Sequence, residues 1–351
     1  MQGLMSKVKE WQREELSLAV AVVTATWGSS PRPVGSRMII NQDLDMVGSV
    51  SGGCVEGAVV EAAEDVIQSG QPRLLEFGVT DEDAWEVGLA CGGQIEVFLR
   101  PLEPSLVNAW WEIIQQGMTA VTVTVTGGPE AWLGRSLVLA QDGKLLAGKK
   151  LNPELREGLE SSGRRALQVG ESGRDVTPGT GKRGPVQVFA NLDQAPLSLI
   201  AVGGVHITVP LVSLAKTLGF RTVVIDPRRL FGSEDRFPAA DQLLQVWPQE
   251  AIKDLDLDDR TAVALLTHDP KIDDPALIAA LDSDAFYIGA LGSSRTQANR
   301  RRRMVDQGYE QHDLDRIHGP IGLDLGGRSA EEIALAIMAE IISVWNQDPP
   351  G

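Results

Sequence analysis

Apolar positions along this chain change period several times, and each change marks an element. Val8, Trp11, Leu16 and Leu18 stand among charges over residues 8–18, which predicts an amphipathic helix. Residues 18–26 are nearly all small or β-branched and predict a strand. Residues 37–41 and 46–50 predict paired strands around a turn at Asn41, Gln42 and Asp43. Val55, Val59, Ala62, Ala63, Val66 and Ile67 then recur at helical spacing over 55–68, closed by Gly70. Ile95, Val97 and Leu99 share one face of a strand over 94–99. Residues 105–117 predict a helix and 120–126 a Val/Thr strand of period two. Residues 137–140 and 145–147 form a hairpin across Gln141, Asp142 and Gly143. Residues 161–184 are rich in Gly, Ser, Arg and Lys and read as a flexible loop or edge hairpin. No internal repeat is visible.

The pattern changes near Pro196. Residues 197–202, 221–225, 262–267 and 285–288 are short apolar runs, separated by helical patterns over 206–218, 275–281 and 294–307. A last helix covers 330–345. Apolar strands alternating with helices predict a parallel, doubly wound sheet. The expected fold class is α/β: an N-terminal α+β domain over 1–195, then a C-terminal Rossmann-like doubly wound parallel sheet over 196–351.

Length and composition constrain the function class. The chain has 351 residues, enough for two domains with full cores. Lys+Arg 32 against Asp+Glu 48 gives a net charge of -16, which disfavours nucleic acid and anionic membranes as partners. A small anionic ligand therefore needs local donors. No apolar run approaches a membrane span, and the first residues lack a signal-peptide pattern. Two cysteines do not make a disulfide framework, so a cytosolic protein with reduced thiols is expected.

Candidate chemistry lies in glycine-rich loops, whose backbone N–H groups bind oxyanions. The first contains Gly28, Ser29, Ser30 and Arg32; its plain alternative is a proline-stiffened turn. The second contains Gly52, Gly53 and Cys54, and the third Cys91, Gly92 and Gly93. Cys54 precedes a helix start, where the dipole favours a thiolate able to carry sulfur or ligate a metal. A buried, inert thiol is the alternative for Cys54 and Cys91 alike, and no histidine spacing supports a zinc site. No catalytic triad is evident.

In the second half, residues 197–226 look like a first βαβ unit, with Asp226 about 20 positions beyond the glycine turn, where a ribose contact falls. The alternative for Asp226 is capping of the next turn. Gly203 holds the first glycine position, but Val205 and Thr208 hold the second and third. NAD(P) binding by an oxidoreductase is thus the competing functional reading, with His268 or His318 as proton donor. His206 opens the following helix, as a ligand contact or as a histidine satisfied by backbone. His268 and Asp269 follow the third strand; Asp269, Asp273 and Asp274 could hold a cation or cap helices. Gly289, Gly292, Ser293 and Arg295 form the best phosphate loop of this half, and His318 converges on the same sheet edge.

These phrases in order resemble the xanthine dehydrogenase accessory family, XdhC/CoxI. The resemblance rests on residues 27–37, 48–56 and 91–96, then 267–275, 287–295 and 316–325, and Glu331, Glu332, Ile333 and Ala334 with Ala339, Glu340 and Ile341. It implies a helper that binds the molybdenum cofactor, a pterin with a phosphate and a dithiolene that sometimes carries a nucleotide. It further implies support of sulfuration by a cysteine desulfurase, transfer to an apo molybdenum hydroxylase of the xanthine or CO dehydrogenase type, and a homodimer. Family members often carry Gly-Ala-Gly-His-Val-Ala at the first βα turn. This chain keeps His206 but not the second glycine, so nucleotide binding there is not implied.

Overall fold

The structure, a computed structural model, describes residues 2–30, 32–78, 93–177, 185–255 and 257–347. It divides into two compact units, Met1–Ala195 and Pro196–Gly351.

The first unit opens with helix α1 (Gln2–Arg13), then strands β1 (Leu18–Trp27), β2 (Arg37–Asn41) and β3 (Met46–Gly48), helix α2 (Glu56–Ser69), and strands β4 (Arg73–Phe77) and β5 (Gln94–Pro101). Helix α3 (Pro104–Gln116) starts the same series again. Strands β6 (Ala120–Gly127), β7 (Ser136–Ala140) and β8 (Leu145–Ala147) follow, then helix α4 (Pro153–Val169) and strands β9 (Gly173–Thr177) and β10 (Val186–Asp193). The two antiparallel sheets are ordered β3-β2-β1-β5-β4 and β8-β7-β6-β10-β9. The unit is therefore two copies of one αβββαββ arrangement, a duplication the sequence pattern conceals.

The copies agree in detail. Val23 bonds Ser36 and Gly35 as Val125 bonds Arg135 and Gly134. Each central pairing slips by one residue, at Thr24 in β1 and at Thr126 in β6. Both outer helices end in a left-handed glycine, Gly70 and Gly170. Helix α2 seals the outer face of the first sheet through Val59, Ala63 and Val66, and α4 seals the second through Leu155 and Leu159. The inner faces meet α1 and α3 around Trp11, Trp110 and Val138. Burying such apolar faces is the main drive for layering of this kind. The interior then turns polar, with Arg37, Arg100, Thr122, Thr124 and Asn191 between the sheets. Arg37 forms a bidentate pair with Asp193 at 2.7 and 2.8 Å and lies over the Trp110 ring, joining one copy to the other. Burial pushes Arg100 down to about 10, and the like charge of Arg37 adds to that.

Of the flexible loop or edge hairpin expected over 161–184, the edge-hairpin reading holds where β9 pairs antiparallel with β10 at the sheet edge, and the loop reading is corrected over 161–169. Residues 161–169 belong to α4, and 173–177 are β9. Gly163 sits in the helix because Leu139, Val123 and Val121 press against it and leave no room for a larger side chain. Residues 178–184 lie outside the described residues.

The second unit contains β11 (Ser198–Val202), α5 (Thr208–Thr217), β12 (Arg221–Ile225), β13 (Gln242–Leu244), α6 (Pro248–Ala251), β14 (Thr261–Leu265), α7 (Pro270–Leu281), β15 (Tyr287–Ala290), α8 (Ser294–Asp306), α9 (Gln311–Asp315), β16 (Ile317–His318) and α10 (Ala330–Gln347). Its six strands are parallel, in the order β13-β12-β11-β14-β15-β16. Order reverses between β11 and β14, the switch point at which doubly wound sheets hold ligands. Helices α5 and α10 cover one face through Leu211, Ala215, Ile337 and Ile341; α7 packs on the other through Ile272, Ala276 and Leu277. The expected α/β class, with an α+β unit ahead of a Rossmann-like sheet, is what the structure has. Among the described residues, no helix is long and apolar enough to cross a membrane.

Candidate functional site

In the loop before α2, Ser49, Val50, Ser51, Gly52 and Gly53 curl around one carboxylate. It is the chain's own Glu56. Its Oε1 accepts from Ser49 Oγ (2.6 Å), and from the amides of Val50 (3.2 Å), Ser51 (2.9 Å) and Gly52 (3.0 Å). Its Oε2 accepts from Ser51 Oγ (2.5 Å) and the Gly53 amide (2.9 Å). Glu56 is 6% exposed. Burial works to raise its pKa, but the bonds from Ser49, Ser51 and the loop amides prevail and hold it well below the ordinary carboxylate range. The nest expected for an external anion is thus filled from within, a correction for Gly52 and Gly53 as amide donors. Cys54 sits at the nest's rim and is exposed, which removes the buried-thiol alternative. Its own amide donates to Ser51 Oγ at 3.0 Å.

Gly28, Ser29 and Arg32 lie in an exposed loop after β1. Ser30 Oγ donates to the Arg32 carbonyl at 2.9 Å. Gly93 abuts the Ser29 carbonyl, so the first and third glycine phrases do meet. Asn191 Nδ2 holds the far side of the loop through the Gly35 carbonyl at 3.0 Å. Cys91 and Gly92 lie outside the described residues.

In the second unit, the carboxyl edge of the sheet gathers Gly203, Asp226, His268, Asp269, Gly292 and Ser293. The glycine turn there is also closed from within. Gly203 donates to the Ile225 carbonyl (2.8 Å) and accepts from Thr208 Oγ1 (2.5 Å). The Gly204 amide donates to Asp226 Oδ2 (2.7 Å), and its carbonyl accepts from Arg236 Nη1 (2.7 Å). Asp226 is fully buried. It also takes the Arg228 amide and Nε on Oδ1, both at 2.9 Å, and Arg228 Nη2 on Oδ2 at 2.7 Å. Four bonds use the lone pairs that a ribose hydroxyl needs. This corrects the ribose-contact expectation for Asp226. Burial opposes ionisation of Asp226, yet Arg228 and the Gly204 amide hold its pKa below the ordinary value.

His206 is exposed and lies ahead of α5, which begins at Thr208 rather than at the histidine. His268 is exposed with φ +64°. The three aspartates that follow take separate tasks rather than sharing a cation. Asp269 caps α7 through the Lys271 amide at 3.0 Å. Asp273 accepts from Thr267 Oγ1 at 2.6 Å, and Asp274 pairs with Arg303 at 2.6 and 2.8 Å. Among the described residues, no group of His, Cys, Asp and Glu is arranged to hold a metal ion. Gly289 is a correction: it lies inside β15, pressed by Ile321 and Tyr287. Ser293 caps α8 through the Thr296 amide at 3.3 Å, with Arg295 exposed beside it. His318 stacks on Tyr287 at 4.7 Å, with Nδ1 3.7 Å from Glu340.

Residues that the sequence did not single out knit this edge. Arg300, 2% exposed, reaches Asp273 (3.4 Å), the Leu291 carbonyl (3.2 Å) and Gln297 (2.6 Å). Gln297 in turn donates to the carbonyls of Ala290 (2.8 Å) and Gly292 (3.2 Å). Burial raises the Asp273 pKa in spite of Thr267 and Arg300. In the first unit the unforeseen group is Glu96. Its Oε1 takes Thr24 Oγ1 at 2.5 Å and the guanidinium of Arg174.

A duplicated α+β unit together with a Rossmann-type sheet defines the class, and comparison with known proteins makes it specific. The XdhC and CoxI family model matches residues 11–78, and the XdhC Rossmann domain matches 199–341. The chain belongs to the XdhC/CoxI family. It is 27% identical over 318 residues to the molybdenum cofactor insertion chaperone PaoD of Escherichia coli, covering 90% of this chain and 80% of that one. It is 25% identical over 325 residues to a probable xanthine dehydrogenase subunit of Bacillus subtilis, covering 92% of each. A crystal structure of a xanthine dehydrogenase from Bacillus halodurans shares the fold, with TM-score 0.77 at 23% identity over 99% of this chain and 96% of that one.

Proposed function

We propose that this protein binds the molybdenum cofactor as cargo and inserts it into a molybdenum hydroxylase of the xanthine dehydrogenase type. The observation that carries the reading is similarity across 90% of the chain to a relative named as an insertion chaperone. The site chemistry is compatible with a carrier. The βα turn has its donors and acceptors committed within the chain, and the exposed polar groups lie on loops around it. Such a protein acts in the cytosol alongside its client.

The test is co-purification from a cofactor-producing host, followed by oxidation and identification of the released pterin. The loaded protein should then activate an apo-hydroxylase. Pterin that elutes only with small molecules refutes the reading. Cys54, exposed at the nest rim, is proposed to carry sulfur from a cysteine desulfurase. Mass spectrometry after incubation with desulfurase and cysteine should show a persulfide at Cys54; an unmodified thiol removes that role. Homodimerisation and delivery to CO dehydrogenase-type clients remain part of the proposal, tested by light scattering and by reconstitution of that apo-enzyme.

A further inference from the structure

Where the two copies of the first unit face each other, their sheets part into a cleft of about 280 Å³. Leu74 and Glu96 line it from one sheet, and Thr126, Arg174, Val176 and Gln187 from the other. The cleft lies on the internal pseudo-symmetry. Glu96 stands in the same position relative to the slip at Thr24 as Gln187 does to the slip at Thr126, and Phe98 and Phe189 match two residues further on. Bulges re-aim side chains and recur next to binding sites. Here the bulge residue of one copy, Thr126, lines the cleft, and that of the other, Thr24, bonds the Glu96 that lines it. Matching positions of a duplicated fold thus carry different chemistry, a carboxylate in one copy and an amide in the other.

We propose that this cleft holds the pterin ring of the cargo, with Glu96 and Gln187 reading its pyrimidine edge. The proposal rests on the cofactor-binding reading above. A pterin offers, side by side, a 2-amino group, an N3–H and a 4-oxo oxygen: donor, donor, acceptor. A carboxylate accepts from the first two in a bidentate pair, and an amide N–H₂ donates to the third. Glu96 is 7% exposed, so its charge-assisted bonds form largely out of water. The structure already holds a stand-in. The 2-amino-pyrimidine edge has the N–C(NH₂)–N connectivity of a guanidine, and the guanidinium now on Glu96 belongs to Arg174. Arg174 is largely exposed and also lies 6.0 Å from the Trp27 ring. Its long side chain can swing off Glu96 as the ring enters, leaving it beside Trp27 at the mouth. Glu96 Oε1 keeps the Thr24 hydroxyl as the ring enters. Leu74 and Val176 supply the apolar walls. The volume is at the small end of the roughly 300–1,000 Å³ typical of ligand pockets, which suits one bicyclic ring rather than a dinucleotide.

The test uses the full chain and three probes: 6-hydroxymethylpterin, the matching lumazine with a carbonyl in place of the 2-amino group, and GMP. Saturable binding of the pterin is expected, with the lumazine at least tenfold weaker. That comparison needs no variant, so misfolding cannot confuse it. Glu96→Ala should lose the pterin by at least tenfold while keeping its unfolding transition, and Gln187→Ala should weaken it by a few-fold. Equal binding of pterin and lumazine overturns the proposal. Wild-type affinity in Glu96→Ala does so too, and GMP binding as tight as pterin overturns the assignment to a pterin. The two readings separate cleanly. If molybdenum cofactor is retained equally by wild type and Glu96→Ala, the cleft is wrong and the cargo reading stands. If the pterin binds through Glu96 but the cofactor is never retained, the cargo reading fails and the cleft stands.

Discussion

Two glycine-rich loops, one in each unit, solve the same problem in different ways. The loop over residues 49–53 points its amides at Glu56, a few residues ahead in the chain. The Gly203–Gly204 turn gives one amide to Asp226, twenty-two residues on at the end of the neighbouring strand. The first is a local knot that fixes the start of a helix. The second is a tie between strands, and Arg228 and Arg236 complete it. Converging amides attract negative charge in both. What differs is how far the chain travels to supply it, and so how much structure depends on the bond.

Removing each carboxylate breaks the comparison most directly. Glu56→Ala takes the acceptor from four amides and two hydroxyls, and should destabilise the first unit by about 3–4 kcal/mol. Denaturant unfolding followed by the tryptophans of that unit measures it, and Glu56→Gln should recover part of the loss. Asp226→Ala should cost about 2–3 kcal/mol in the second unit, less because the freed Arg228 can reach water. A larger loss from Asp226→Ala than from Glu56→Ala would reverse the ranking.

Acid sharpens the contrast. Glu56 and Asp226 both titrate below their ordinary values of 4.5 and 3.8. Each therefore adds stability that is complete above those values and lost as pH falls below them. Asp273 is raised above 3.8, so its protonation favours the folded second unit as pH falls. Between about pH 5 and 3 the first unit should lose stability faster than the second. The wild-type advantage over Glu56→Gln should shrink over the same interval.

Much of this was legible in the sequence, for identifiable reasons. Strands β11, β12, β14 and β15 are largely buried, so they read as unbroken apolar runs, whereas the half-buried β13 and the two-residue β16 did not. Helix α4 was missed because Ser161, Ser162 and Gly163 lower its propensity, while Leu139 and Val123 demand a small residue at Gly163. The duplication was hidden because the copies share slips and turns rather than residue types; Glu96 matches Gln187 in place, not in chemistry. Glycine spacing located both loops but not the owner of the anion. An acidic residue opening the helix directly after the glycines, Glu56, was the signal that the anion was internal.

Alanine at single glycines tests how tightly each loop is closed. At Gly204 an added Cβ falls inside contact distance of the Phe231 carbonyl. Backbone cannot yield as a side-chain tip does, so Gly204→Ala should cost about 2 kcal/mol and weaken the Asp226 tie with it.

Gly53→Ala should be milder, and for another reason. Nothing lies within 4 Å of a Cβ there, so no contact is lost or crowded. The residue instead has φ +123°, outside the region that an L side chain readily adopts. The cost is backbone strain alone, about 1 kcal/mol. The chain can relieve it by rotating the Gly53 amide away from Glu56 Oε2, giving up one bond and leaving five. Gly53→Ala combined with Glu56→Ala should therefore cost less than the two changes summed, because the strain has no bond left to defend. Strict additivity would mean that the loop keeps its shape without the carboxylate, and that Glu56 occupies the nest without forming it.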